Sequence, residues 1–131
     1  MRLYIAGPMS GKPNNNAAAF AAAAGRLRSE GHEVHSPVEF DWNSGVDHTR
    51  QATDTEYEDY LGRDFEVIHE CDAVVFLPGF EWSGGAGREG RLAIELGKPL
   101  FLYIPELPGA LMTIGANTFL AQTTTERARA E

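Results

Sequence analysis

The segment CDAVVFLPGFEWSGGAGREGRLAIELGK, Cys71 to Lys98, decides the fold. Ala73–Leu77 is a short apolar run bounded by Asp72 and by Pro78-Gly79, the pattern of a strand covered on both faces. Gly79–Gly87 carries too many glycines for a regular element and reads as a loop that backbone or ligand approaches closely. A helix follows, predicted from near Ala86 to Gly97, with Pro99 just beyond its end. Leu92, Ala93 and Leu96 form its inward stripe. Glu89 precedes Leu92 and Ala93 by three and four residues, so a carboxylate lies on the same stripe.

Working outward, Arg2–Ala6 is a strand followed by the turn-rich GPMSGKP. Asn14–Asn16 are placed to cap an alanine-rich helix that stops at Gly31. Glu33–Ser36 is a second strand, ended by Pro37. Val38–Thr53 has no period and reads as a long functional loop. Thr55–Glu70 is a helix and Leu100–Ile104 a fourth strand. Leu107–Leu120 is ambiguous, read as a short helix and one more strand, and residues 121–131 read as a flexible or helical tail. Strands alternating with helices imply a three-layer α/β domain spanning 1–131, a doubly wound parallel sheet of four to five strands in the flavodoxin-like order 2-1-3-4(-5). In that order ligands bind beyond the carboxyl ends of strands 1 and 3. The loops found there are GPMSGKP and PGFEWSGGAG, so topology brings both glycine-rich segments to one crevice.

Composition narrows the chemistry. A chain of 131 residues with 43% hydrophobic and 23% charged residues suits one globular domain. A net charge of −8 argues against a long track on DNA or RNA, while leaving room for a small anion held locally. One cysteine, Cys71, excludes an internal disulfide and fits a reducing compartment. With no membrane-length apolar run and no signal peptide ahead of the first strand, a cytoplasmic chain is expected.

The second helix supplies another carboxylate. Tyr57, Tyr60, Leu61, Ile68 and Cys71 mark one stripe, and Asp64 falls on it, four residues from both Tyr60 and Ile68. A single inward Asp reads as a structural hydrogen-bonding group, and Glu89 alone as a helix first-turn acid. Two embedded carboxylates beside one glycine-lined crevice are instead the minimum equipment for breaking a glycosidic bond. On position, Glu89 near a helix N-terminus is expected to stay ionised and act as nucleophile. Asp64, between Tyr60 and Ile68, is expected to be raised by desolvation and to handle the proton.

Other motifs carry less. Gly7–Lys12 is G-x-x-x-G-K, one residue short of a P-loop, with Pro13 where Ser or Thr is required, so an ATPase reading fails. What survives is a turn whose amides, Ser10 hydroxyl and Lys12 ammonium suit a monoester phosphate. Gly85–Gly90 matches G-x-G-x-x-G, but it follows the third strand after a long loop rather than the first strand directly, so no dinucleotide cofactor is expected. Trp42, Phe80 and Trp82 lie in predicted loops, where an exposed ring can stack on a nucleobase or close the edge of a core. His32, His35, His48 and His69 have no ligand set in register, and no metal is expected.

Three pieces, YIAGPMSG, RDFEVIHECDAVVFLPG and GAGREGRLAIELGKP with its G-x-x-x-E, resemble the nucleoside 2-deoxyribosyltransferase superfamily over Leu3 to Lys98. That group includes the deoxynucleoside 5′-monophosphate N-glycosidases and small, often phage-encoded relatives. The resemblance implies Glu89 as the nucleophile on the anomeric carbon, Asp64 as the acid that assists proton transfer and binds the sugar, and Tyr4 as the aromatic that positions the nucleophile. It implies Ser83 at the 5′-phosphate, with Ser10, Gly11 and Lys12 contributing. Gly7, Met9, Gly85, Gly87 and Arg88 belong to the same glycine-rich loops and are expected to line the substrate. It further implies a homodimer or larger homo-oligomer whose neighbouring subunit completes the site, with Thr113 or Asn117 the nearest candidate. Asp41 and Trp42 stand in the loop expected to meet the base, yet match no base-reading pattern. Arg88 beside the nucleophile is also not shared by every branch. The expected activity is hydrolysis of a (deoxy)nucleoside 5′-monophosphate, with base exchange as the alternative. A silent nucleotide sensor is the rival from another class, and the carboxylate pair opposes it, since a binder of anions gains nothing from two nearby negative charges.

Overall fold

The structure is a computed structural model; it describes residues 1–9, 11–39 and 54–123, the side chains of residues 54–61 excepted. Five strands, β1 (Arg2–Ala6), β2 (Glu33–His35), β3 (Ala73–Phe76), β4 (Leu100–Tyr103) and β5 (Leu111–Ile114), form one sheet in the order β2-β1-β3-β4-β5. The first four are mutually parallel, as the alternating pattern requires, and β5 returns antiparallel to β4. The short connection through Pro108–Ala110 explains the reversal, because a parallel return would need a crossover of a dozen residues or more. The ambiguous region thus holds a short helical turn, the one more strand expected of it, and then a further helix.

Alternation along the strands divides the core into two layers. Leu3 and Ile5 of β1 and Ala73 and Val75 of β3 face α1 (Ala17–Ser29), meeting Phe20 and Leu27. Buried Ala17, Ala23 and Ala24 let this helix lie close to the sheet. Tyr4, Ala6, Val74 and Phe76 point the other way, toward α2 (Asp54–Glu70), α3 (Gly84–Glu95) and α4 (Ala116–Gln122), from which Ile68, Ala86, Ala93 and Phe119 close the second layer.

Some local readings change. Phe80 is not a loop aromatic but core: its ring centroid lies 5.2 Å from Phe76 and 5.7 Å from Phe119. Trp82, two residues on, is exposed. Leu96 is also exposed, because α3 starts at Gly84 and ends before it. Asn16 occupies the N-cap of α1 without making a side-chain cap. Asn14, Asn15 and Asn16 all adopt left-handed backbone, and the Asn16 amide donates to the Pro8 carbonyl at 3.0 Å, folding the β1 loop back on itself. At the carboxyl end of β2, Arg28 clasps Glu39 through two nitrogens at 2.8 and 2.7 Å. Lys98 donates to the His69 carbonyl at 2.9 Å and to that of Cys71, tying the end of α2 to the start of β4.

Where β1 and β3 end, there is no room to spare. The Leu77 amide donates to the Ala6 carbonyl at 2.9 Å, and a Cβ built on Gly7 would lie 2.9 Å from Leu77 Cβ. That atom is too near its own backbone to swing aside. Gly7→Ala is expected to destabilise the fold by about 1–3 kcal/mol through overpacking, read as a lowered urea midpoint with an unchanged slope.

Candidate active site

The two acids read from the sequence meet on β1. Asp64 is placed by α2 and Glu89 by α3, and both are buried, 8% and 5% exposed. Between them stands Tyr4, itself fully enclosed in the second core layer. Its hydroxyl donates to Glu89 Oε2. The phenol's pKa is pushed well above its usual value by burial first, then by the charges of Glu89 and Asp64 and by hydrogen bonding with both. Tyr4 therefore stays protonated and serves as a fixed donor. Arg63 reaches Asp64 at 3.5 Å from the neighbouring position on α2.

Charge on Glu89 departs from the helix-terminus expectation. The residue sits beyond the first turn of α3, where the helix dipole has faded. Burial, followed by the nearby Asp64 charge, raises its pKa well above the usual 4.5, and the Tyr4 hydrogen bond only partly offsets this. The two carboxyls consequently resist double ionisation. A stability consequence follows. Glu89 keeps its proton to higher pH in the folded chain than in the unfolded one. Raising the pH above about 4.5 thus ionises the unfolded chain first, and stability falls until the folded pKa is passed. Glu89→Gln is expected to melt higher than the parent at neutral pH, with the gap shrinking toward pH 4 in a calorimetric series.

The second glycine-rich loop leads into α3 through Ser83. Its hydroxyl caps α3, accepting from the Ala86 amide at 3.2 Å, and Gly85 and Gly87 are buried in the first turns. A capped helix start of this kind, with small residues around it, suits an anion. From the first loop, Gly7 is buried and Met9 packs on the α1 layer. Gly11 takes a φ of 79°, which favours glycine, and Lys12 is exposed. Arg88 is exposed on α3. Ser10, Asp41 and Trp42 lie outside the described residues. Thr113 and Asn117 are exposed on edge strand β5 and on α4, and within one chain they are not among the groups gathered at Tyr4. No cluster of three or more His, Cys, Asp or Glu side chains suited to a metal occurs among the described residues. None of their helices is long and apolar enough to cross a membrane.

Residues 1–102 match the family model described as Domain of unknown function (DUF4406). The chain belongs to the DUF4406 family. Among curated proteins, none matches its sequence. Among solved structures, this DUF4406 chain is similar to a 2-deoxyribosyltransferase from the psychrotolerant bacterium Bacillus psychrosaccharolyticus. The TM-score is 0.58 and the identity 23%, over 78% of this chain and 71% of that one. At that identity the likeness is one of fold, and it agrees with the sheet order read from the sequence. Both glycine-rich loops and both acids fall within the 102 residues that match the family. What sequence reading missed lies at its edge: the packing of α4 on α3, for which the only signal is Gly90 directly after the acid.

Proposed function

We propose that this protein cleaves the N-glycosidic bond of a nucleoside 5′-monophosphate, with deoxyribose as the sugar, and releases the free base. The observation that carries the reading is the meeting of Glu89 and Asp64 at the Tyr4 hydroxyl, two buried acids on separate helices beside the junction of β1 and β3. In the first step a Glu89 carboxylate oxygen bonds to C1′ as the C1′–N bond breaks, its electron pair leaving with the base, which takes a proton from Asp64. In the second, Asp64 accepts a proton from water as the water oxygen bonds to C1′ and Glu89 departs, giving the sugar 5-phosphate with retention. The pair holds one proton between them; in the reacting state it stands on Asp64, and the positive charge developing at C1′ stabilises the ionised Glu89 against the burial that raises its pKa.

Ser83 and the first turn of α3 support a phosphorylated substrate. The Ser83 oxygen accepts from Ala86, which leaves its hydroxyl proton to donate to a phosphate oxygen. Lys12 and Arg88, both exposed, and the Ser10 hydroxyl are the further contacts proposed for the nucleotide, with Asp41 and Trp42 at the base. The working assembly in this reading is a homo-oligomer, a second copy bringing Thr113 or Asn117. It acts in the cytoplasm, where the single Cys71, its thiol pushed up to about 11 by burial, stays a thiol.

A second reading keeps the same glycosyl-enzyme and replaces water by another base. It is favoured by the fold shared with a protein named as a 2-deoxyribosyltransferase. Incubating the protein with deoxynucleotides and deoxynucleosides, with and without a different free base, separates the two. Free base without any acceptor supports hydrolysis; a new nucleoside or nucleotide formed only with acceptor supports exchange. Release of neither product from the whole panel would sink both.

A further inference from the structure

We infer that Phe119, seated against Gly90, is a positioning residue for Glu89: it fixes the rotation of α3 and so aims the neighbouring carboxyl at Tyr4. This rests on the proposed role of Glu89, but its geometry stands apart from it. Gly90 has no side chain because the ring is there already. A Cβ at that position would lie 2.1 Å from Phe119 Cζ, 2.5 Å from Cε2 and 2.8 Å from Cε1. Phe119 is fully buried, and its ring also lies 4.7 Å from Phe76 and 5.7 Å from Phe80, centroid to centroid. One ring thus joins the end of β3, the loop leading to Ser83 and the helix that carries the nucleophile.

A second contact, one turn away, resists rotation in the same sense. Arg91 donates to the Thr123 carbonyl at 2.6 Å, and the Thr123 hydroxyl donates back to the Phe119 carbonyl at 2.8 Å. Thr123 is buried and comes within 3.8 Å of the Cβ position of Gly87. Helix α3 is therefore gripped at Gly87, Gly90 and Arg91 on the side turned to α4, while Glu89 projects toward β1 and α2. A side-chain tip some 5–6 Å from a helix axis moves about 2 Å for a 20° turn. That is more than a hydrogen bond tolerates. The third glycine of the G-x-G-x-x-G match serves this contact and no dinucleotide.

Besides burial, the groups that set the charge on Glu89 are Asp64 from α2, with Arg63 beside it, and Tyr4 from β1; Arg88 and Arg91 are its charged neighbours along α3. Helix α4, ANTFLAQ, brings no charged side chain. A change at the α4 contact can therefore reach Glu89 through position alone. The test uses the full chain with carbon-13 carboxyl labelling of glutamate, following the Glu89 titration in Gly90→Ala, Phe119→Leu and the double variant, beside kcat and KM for base release. Gly90→Ala drives the helix off the ring. Its Glu89 midpoint is expected to move up as the Tyr4 donation is lost, and kcat to fall about 10–100-fold with KM little changed. Leucine lacks the three ring atoms that would clash, so the double variant should regain most of both. If Gly90→Ala does not fold, Phe119→Leu alone carries the test, with a smaller upward shift expected. An unchanged Glu89 midpoint in a folded variant overturns the inference. A midpoint that moves in a protein whose parent releases no base leaves the positioning intact and removes only the glycosidase reading.

Discussion

Replacing Glu89 by glutamine is expected to reduce base release by at least about 10³-fold while the protein folds and melts at or above the parent temperature. The two halves of this outcome have one cause. Burial next to Asp64 makes an ionised Glu89 unfavourable in the resting protein, so the amide relieves a stability cost. The amide is also a poor nucleophile, and the glycosyl intermediate cannot form. A residue kept for packing or for its hydrogen bond to Tyr4 would leave base release and melting nearly unchanged, since glutamine retains an acceptor oxygen and nearly the same volume. Rapid-quench assays on a matched pair, with melting followed at pH 4 and pH 7, would distinguish the cases. An active Glu89→Gln enzyme would reduce the site to a structural polar cluster.

Asp64→Asn has the second largest expected effect, and its signature is a split. The plateau rate should fall about 10²–10³-fold, because the base loses its proton donor and the water its acceptor. The basic limb of kcat/KM should vanish at the same time, since activity at high pH ends when the pair loses the proton that Asp64 passes to the base. Substrates whose base leaves without protonation should recover part of the loss. A variant that loses rate with the basic limb intact would show that Asp64 does not hold that proton.

The fold was legible because each layer writes a period into the chain. Strand β1 was read at Arg2–Ala6 and found there, and α2, β3 and β4 differ from their sequence bounds by a residue or so at an end. Asp64 was readable because Ile68 and Cys71 mark its stripe, and Glu89 because Ala93 does. Less legible was β5, whose LMTI is half exposed on a sheet edge and carries no alternation strong enough to separate it from helix. Phe80 was misplaced for a related reason. A single ring in a glycine-rich loop has no periodic neighbours, and only the approach of Phe76 and Phe119 shows that it is core.

Local order in the sequence determined the strands, the helices, their winding and the pair of inward acids, because hydrophobic period and turn chemistry act between residues a few positions apart. Tertiary structure alone decided three things. The Tyr4 hydroxyl, on the residue that the resemblance had implied as positioning the nucleophile, donates to Glu89 Oε2, 85 positions along the chain. Glu89, far from being held ionised by its helix, has its pKa raised by what surrounds it. Phe119, beyond the matched family region, takes the place a side chain on residue 90 would fill. Burial and a neighbour's charge depend on which distant segments fold against a group, and no spacing along the chain encodes them.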